Sequence, residues 1–369
     1  MHDLSNYTAT TGQSLWLDNL SRAHVFEGKL KHAIDHLGIR GVTSNPSILD
    51  KALRESPAYY RADLRNLRLD YTDLETIYEN LIARDVQMAC DLLAPLWETS
   101  MGMDGYVSWE VSPALAHDAE GTLAAAARLR LLAGRDNLMI KVPATAAGVH
   151  AFEELTARGY KVNVTLIFGL EQLRAVFEAH IRGLRRWMAH SHDPLAVRSV
   201  ASVFLSRVDT LVDNQLNALA VAHSSDQAAI LDLRGKAALA LAAQAYGMYQ
   251  SIYHGEAFAD LREMGARPQS LLWASTAAKN PAYSDLIYVE EVMLPETINT
   301  LPDTTLAALA DHAEIQRRPA PSLAAAQAHD AHLSALGIHM DKDIAEGLQV
   351  DGLRLFQLGF DALLTQVNQ

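Results

Sequence analysis

Leu138-Met139-Ile140-Lys141-Val142-Pro143, followed by Val162-Asn163-Val164-Thr165-Leu166, is the stretch that decides the fold. Each is a short apolar run rich in branched residues, and a longer segment separates the two. Six further runs share this form: Leu15-Trp16-Leu17, Gly41-Val42-Thr43, Tyr106-Val107-Ser108-Trp109, Ser199 to Phe204, Leu271-Leu272-Trp273 and Thr297-Ile298-Asn299. Runs of this length alternating with helical segments are the pattern of a parallel sheet covered by helices. Eight of them predict an α/β fold, a (β/α)8 TIM barrel, whose usual length of roughly 250 residues leaves room here for additional helices.

Between the runs, apolar residues recur at three- and four-residue spacing. This predicts helices over Leu74–Trp97, Leu123–Leu132, Leu170–Met188, Thr210–Ala222 and Ala228–Tyr253, the last Ala-rich and so a strong helix former. A Pro-containing stretch, Arg317 to Pro321, precedes a final helical block ending in Gly352-Leu353-Arg354-Leu355-Phe356-Gln357-Leu358-Gly359-Phe360. That block is too short to bury a core alone and is expected to pack on the barrel, so residues 1–369 read as one domain.

Composition narrows the function. Of 369 residues 49% are hydrophobic, enough for a large core, and the formal charge of -13 repels a phosphate backbone or an anionic lipid surface. No nucleic acid and no membrane are therefore expected as partners. The segment Met1 to Gln13 is polar, and no apolar run reaches the roughly 18 residues that span a bilayer, which points to a cytoplasmic protein. Cys90 is the only cysteine and lies in an apolar helical pattern, where a buried inert thiol is expected and no intrachain disulfide can form. The 15 histidines show no metal-ligand spacing, so neither metal nor cofactor is expected; His24, His32 and His36 read as one solvated helix.

Lys141 carries the first chemical signal. It sits inside an apolar run in a chain with eight lysines, and desolvation there disfavours the ammonium and frees an amine to attack a carbonyl. The same run also fits a lysine whose stem lies on apolar surface with its head in water. Lys161 is the competing lysine, but at the start of a strand it points to the barrel face away from the chemistry. Active sites of such barrels lie at the C-terminal strand ends, and polar residues gather there. Asp18 follows the first run, Ser44 and Asn45 the second, Glu110 the third and Ser275 the seventh; Asn163 and Thr165 lie in the fifth and Ser202 in the sixth. Singly, Asp18 and Asn45 also fit helix caps or turns, and Ser202 a satisfied core hydroxyl.

These residues resemble the transaldolases. Gly41-Val42-Thr43-Ser44-Asn45-Pro46-Ser47-Ile48 looks like that family's signature, and Ile140-Lys141-Val142-Pro143-Ala144-Thr145 with Asn163-Val164-Thr165-Leu166-Ile167-Phe168 resembles its Schiff-base lysine region. Further matches are Trp16-Leu17-Asp18, Val107 to Pro113, Ala201 to Asp209 and Leu272 to Thr276; the resemblance runs from about Leu15 to about Pro302 and more weakly through the last helix. It is nearest the longer bacterial subgroup, marked by Trp273 to Asp285.

The resemblance implies transfer of a dihydroxyacetone unit from sedoheptulose 7-phosphate to glyceraldehyde 3-phosphate, giving erythrose 4-phosphate and fructose 6-phosphate. Lys141 would form the imine and Asp18 would be the acid/base at the bond that breaks. Glu110 and Thr165 would hold the proton-shuttling water, and Asn45, Asn163 and Ser202 would bind hydroxyls of the three-carbon unit. Arg207 and Ser275 would hold phosphate; where shorter relatives carry an arginine this chain has Ala277, and the role passes to Lys279. Arg207 could instead pair with Asp209 or Asp213. Sugar phosphates are the partners implied, and monomer and homodimer both stay open. The rival readings are a fructose-6-phosphate aldolase-like enzyme and a barrel without catalysis.

Overall fold

The computed structural model describes residues 3–191, 193–222 and 225–369; Met1 and His2 of the polar N-terminal segment lie outside it. Its strands are Ser14–Leu17 (β1), Ile39–Val42 (β2), Tyr106–Glu110 (β3), Leu138–Pro143 (β4), Val162–Ile167 (β5), Ser199–Phe204 (β6), Ser270–Ala274 (β7) and Ile298–Leu301 (β8). All pair in parallel in chain order, and β8 pairs back onto β1 to close a (β/α)8 barrel. Each of the eight expected runs contributes to one strand. They were readable because β3 to β7 are buried along their whole length, helices covering one face and the barrel interior the other.

Register decides which polar residues meet. Glu110 pairs with Lys141 across β3 and β4, and Lys141 with Asn163 across β4 and β5, so three strands place carboxylate, amine and amide in one row. Strand alternation sets Ser108 on the same face as Glu110, and Asn163 on that of Thr165. Beyond Val164 the pairing of β5 with β6 is irregular, and Leu166 adopts a left-handed φ of 58°. Lys161 stands at the opposite end, where its amine lies 5.9 Å from the centre of the Trp97 ring.

Two helical expectations are corrected. Ala228–Tyr253 is not one helix but Gln227–Leu231 and Ala237–Tyr253, broken where Gly235 takes φ 70° and donates its N–H to Asp213. His24 does not share a helix with His32 and His36: Gly28, at φ 73°, separates Arg22–Phe26 from Lys29–His36. His32 and His36 are exposed, whereas His24 is half-buried and 3.0 Å from Asp303.

The final block packs on the barrel, as its length required. Helix Leu323–Ala335 leads through a π-helical turn at Met340–Ala345 into the terminal helix Glu346–Asn368. That helix buries Leu348, Gly352, Phe356, Phe360, Leu363 and Val367, a three- and four-residue spacing that aligns one face with the barrel. Several of its contacts lie at the C-terminal strand ends. Gln349 Nε2 donates to the Ala144 carbonyl at 2.9 Å, just past β4, and Gly352 lies against Leu166 and Phe168 at the end of β5. Gly359 passes so close to Ser47 that a Cβ there would lie 2.6 Å from the Ser47 hydroxyl.

Candidate active site

At the C-terminal end of the barrel a cavity of about 480 Å³, open to solvent, is lined by residues of β4 to β8, of the segments after β1, β2, β6 and β7, and of the terminal helix. Lys141 reaches it from the middle of β4. Its Nζ donates to the Ser44 carbonyl at 2.9 Å and lies 3.3 Å from Glu110 Oε2, with the side chain 6% exposed. The reading in which Lys141 holds its head in water is thereby corrected. Removing both charges of this pair from water is costly, and their attraction offsets only part of that. For Glu110, burial outweighs the neighbouring ammonium and raises the carboxyl pKa to about 7, with Asp18 adding to the rise.

Asp18, directly after β1, lines the cavity and accepts a 2.8 Å hydrogen bond from Thr43 Oγ1, which in turn lies 2.7 Å from Thr300 Oγ1 on β8. Burial raises its pKa; Lys141 and Thr43 oppose the rise, and Asp303 adds to it. Thr165 Oγ1 is buried at the wall without a hydrogen-bond partner among the described residues. Asn45 both lines the cavity and caps the helix Pro46–Glu55, its Oδ1 accepting from Ile48 N–H at 3.1 Å. Ser202 lines the cavity and donates to Asn163 Oδ1 at 2.7 Å; Asn163 in turn donates to Ser108 Oγ at 3.0 Å. Asn163 is fully buried outside the cavity lining, so it fixes Ser202 from beneath.

Arg207 lines the opposite part of the cavity with its guanidinium carbon 5.7 Å from the centre of the Phe204 ring. Neither proposed aspartate pairs with it. Asp209 accepts from Tyr288 OH at 2.6 Å and from Ala238 N–H, and Asp213 from Tyr283 OH and Gly235 N–H. Among the described residues Arg207 Nη1 is buried without an acceptor, which leaves a fork suited to an anion. Ser275 lies beside it in the lining at φ 54°, its hydroxyl 2.9 Å from Ser206 Oγ. Lys279, by contrast, is exposed on the segment after β7 and does not line the cavity. No group of three or more His, Cys, Asp or Glu is placed to hold a metal ion among the described residues.

A sequence profile of the Transaldolase/Fructose-6-phosphate aldolase family matches residues 15–367. The chain belongs to that family. The match reaches almost to the end of the terminal helix, so the final block is part of the family fold. Among its relatives, a transaldolase of Thiobacillus denitrificans is 49% identical over 97% of both chains. A transaldolase of Mycolicibacterium smegmatis is 42% identical over 96% of this chain and 94% of its own, and transaldolase 2 of a Nostoc species is 39% identical over 97% and 94%.

Three of the wall residues to which the sequence assigned no role adjoin the groups that carry the chemistry. Thr43 and Thr300 orient Asp18, and Phe356 sits with its ring centre 5.6 Å from Lys141 Nζ. Thr43 stands within the signature run, so its neighbours offered a signal. Phe356 offered none, because an apolar residue at helical spacing reads as core.

Proposed function

We propose that the chain is a transaldolase that moves a dihydroxyacetone unit from sedoheptulose 7-phosphate to glyceraldehyde 3-phosphate, giving erythrose 4-phosphate and fructose 6-phosphate. The observation that carries this reading is the amine of Lys141, buried at a cavity that is also lined by the Asp18 carboxylate and by Arg207, whose Nη1 has no acceptor among the described residues. Lys141 adds to the ketose C2 carbonyl, and loss of water gives the imine. Glu110, 3.3 Å away, takes and returns protons in that step, with a water held at Thr165 as the relay. Asp18, fixed by Thr43, accepts the proton of the C4 hydroxyl as the C3–C4 bond breaks, and the aldose phosphate leaves. The enamine then attacks the acceptor aldehyde, Asp18 returns the proton to the new hydroxyl, and hydrolysis frees the product ketose. Asn45 and Ser202 hold hydroxyls of the three-carbon unit, and Asn163 keeps Ser202 in place.

Arg207 takes the phosphate with Ser275, since both line the cavity where Lys279 does not. The enzyme works in the cytoplasm, and either monomer or homodimer suits a site built from one chain. No helix of the described residues is long and apolar enough to cross a membrane.

The test is borohydride reduction with fructose 6-phosphate and peptide mapping, beside a turnover assay with and without an aldose phosphate. A dihydroxyacetone adduct on Lys141 with acceptor-dependent turnover is expected, and Lys141→Ala should lose both while remaining folded. Acceptor-independent release of dihydroxyacetone would instead indicate an aldolase, and adduct formation in Lys141→Ala would refute the nucleophile.

A further inference from the structure

Among the described residues, Phe356 is the one cavity-lining residue that comes from outside the barrel strands and their following segments. Its side chain is 5% exposed, and its ring lies over the amine that the proposed reaction converts to an imine. The terminal helix holds it there by contacts to the same strand ends that carry Lys141 and Thr165. Gln349 binds the Ala144 carbonyl past β4, Gly352 rests on Leu166 in β5, and Gly359 lies against Ser47 beside Asn45. Further along the helix, Arg68 donates to the Val367 carbonyl at 2.6 Å, and Phe360 packs edge-on to Tyr78. The ring is thus a fixed part of the wall.

We infer that Phe356 sets the balance between transfer and release by covering the Lys141-bound carbon unit with a surface that neither holds nor delivers water. This rests on the transaldolase reading above. After C3–C4 cleavage the bound enamine has two fates. Attack on an acceptor aldehyde completes transfer. Protonation of its nucleophilic carbon by water gives an iminium; hydroxide then adds at C2, and the C2–N bond breaks to release free dihydroxyacetone and the Lys141 amine. Elsewhere the wall is mixed: Phe204, Leu272 and Ala274 are apolar, while Asp18, Thr43, Asn45, Thr165, Ser202 and Arg207 can all order water. An aromatic face beside the nitrogen removes one direction from which water could reach the enamine.

The experiment shortens the side chain in steps, Phe356→Leu, Phe356→Val and Phe356→Ala, in the full chain. For each variant the ratio of free dihydroxyacetone release from fructose 6-phosphate, without acceptor, to transfer with glyceraldehyde 3-phosphate present is measured on one preparation. The ratio should rise as the side chain shortens. For Ala it should reach about tenfold above wild type, the change produced by about 1.4 kcal/mol of altered barrier. If Ala does not fold, Val carries the same expectation in direction. A ratio equal to wild type across the folded variants, including release and transfer falling in step, would overturn the inference and leave Phe356 a packing residue. Absence of both transfer and a Lys141 adduct in the wild-type protein would instead sink the underlying transaldolase reading.

Discussion

Glu110 and Lys141 face each other across β3 and β4, with Glu110 Oε2 3.3 Å from the Lys141 amine. With its pKa raised to about 7, Glu110 is half-ionised near neutral pH, where it can both accept and donate a proton. Glu110→Gln keeps the shape and removes this exchange. Imine formation, followed by borohydride trapping at short times, should slow by about 10²-fold or more, and a pH limb near 7 in kcat/KM should disappear. The same shift affects stability. A carboxyl whose folded pKa is raised binds its proton more tightly folded than unfolded, so its contribution is lost as pH rises from the ordinary carboxyl range through about 7. The Gln variant should therefore gain in Tm relative to wild type between pH 5 and pH 8. An unchanged limb at pH 7 in the variant would assign the titration to another group.

At the scale of elements, the terminal helix is docked by the absence of side chains as much as by their presence. A Cβ on Gly359 would meet the Ser47 hydroxyl at 2.6 Å and its backbone N at 3.2 Å, whereas one on Gly347 meets nothing within 4 Å. Gly359→Val should cost about 1–3 kcal/mol through overpacking. It should also lower turnover, because both Asn45 and Phe356 adjoin that contact. Gly347→Ala should instead be neutral or stabilise by up to about 1 kcal/mol through helix propensity. Urea unfolding of both variants checks the pair, and equal midpoints would show that the helix approach is not tight. The contrast also explains what was legible. The barrel strands announced themselves as apolar runs because burial on two faces demands them; Lys141 stood out as a charge inside such a run, and Asp18, Thr165 and Ser202 by gathering in or directly after the strands. The break at Gly235 and the outward place of Lys279 depend on backbone conformation and on loop packing, which periodicity does not encode. Phe356 is set by contacts between segments far apart in the chain, and its own spacing on the helix matches ordinary core residues.

Across the whole molecule, most titratable groups sit at the surface of an acidic protein, but some are sealed inside, away from the site. Asp85 and Asp209 have pKa values raised to about 6 by burial, although Arg22 opposes the rise at Asp85 and Tyr288 that at Asp209. His180 goes the other way. It is 1% exposed, lies parallel to Phe152 and Phe258 and has Nδ1 3.0 Å from Tyr253 OH, and burial lowers its pKa to about 3. A histidine held neutral in the folded state loses stability to the unfolded chain as pH falls below about 6.5, by about 1.4 kcal/mol per unit while only the unfolded form takes the proton. The two buried carboxyls act with opposite sign from about 6 down to the ordinary carboxyl range, so the net acid profile is shallow and single variants are needed to expose each part. His180→Phe keeps the aromatic packing and removes the titration, but leaves Tyr253 OH without its partner, at a cost of about 1–3 kcal/mol. At pH 8 the variant should therefore be the less stable protein. As pH falls towards 5, wild type alone loses the histidine contribution, and the gap between the two urea midpoints should close. A gap that stays constant over that range would mean that His180 takes up its proton in the folded core, and that the aromatic cluster around it opens to water.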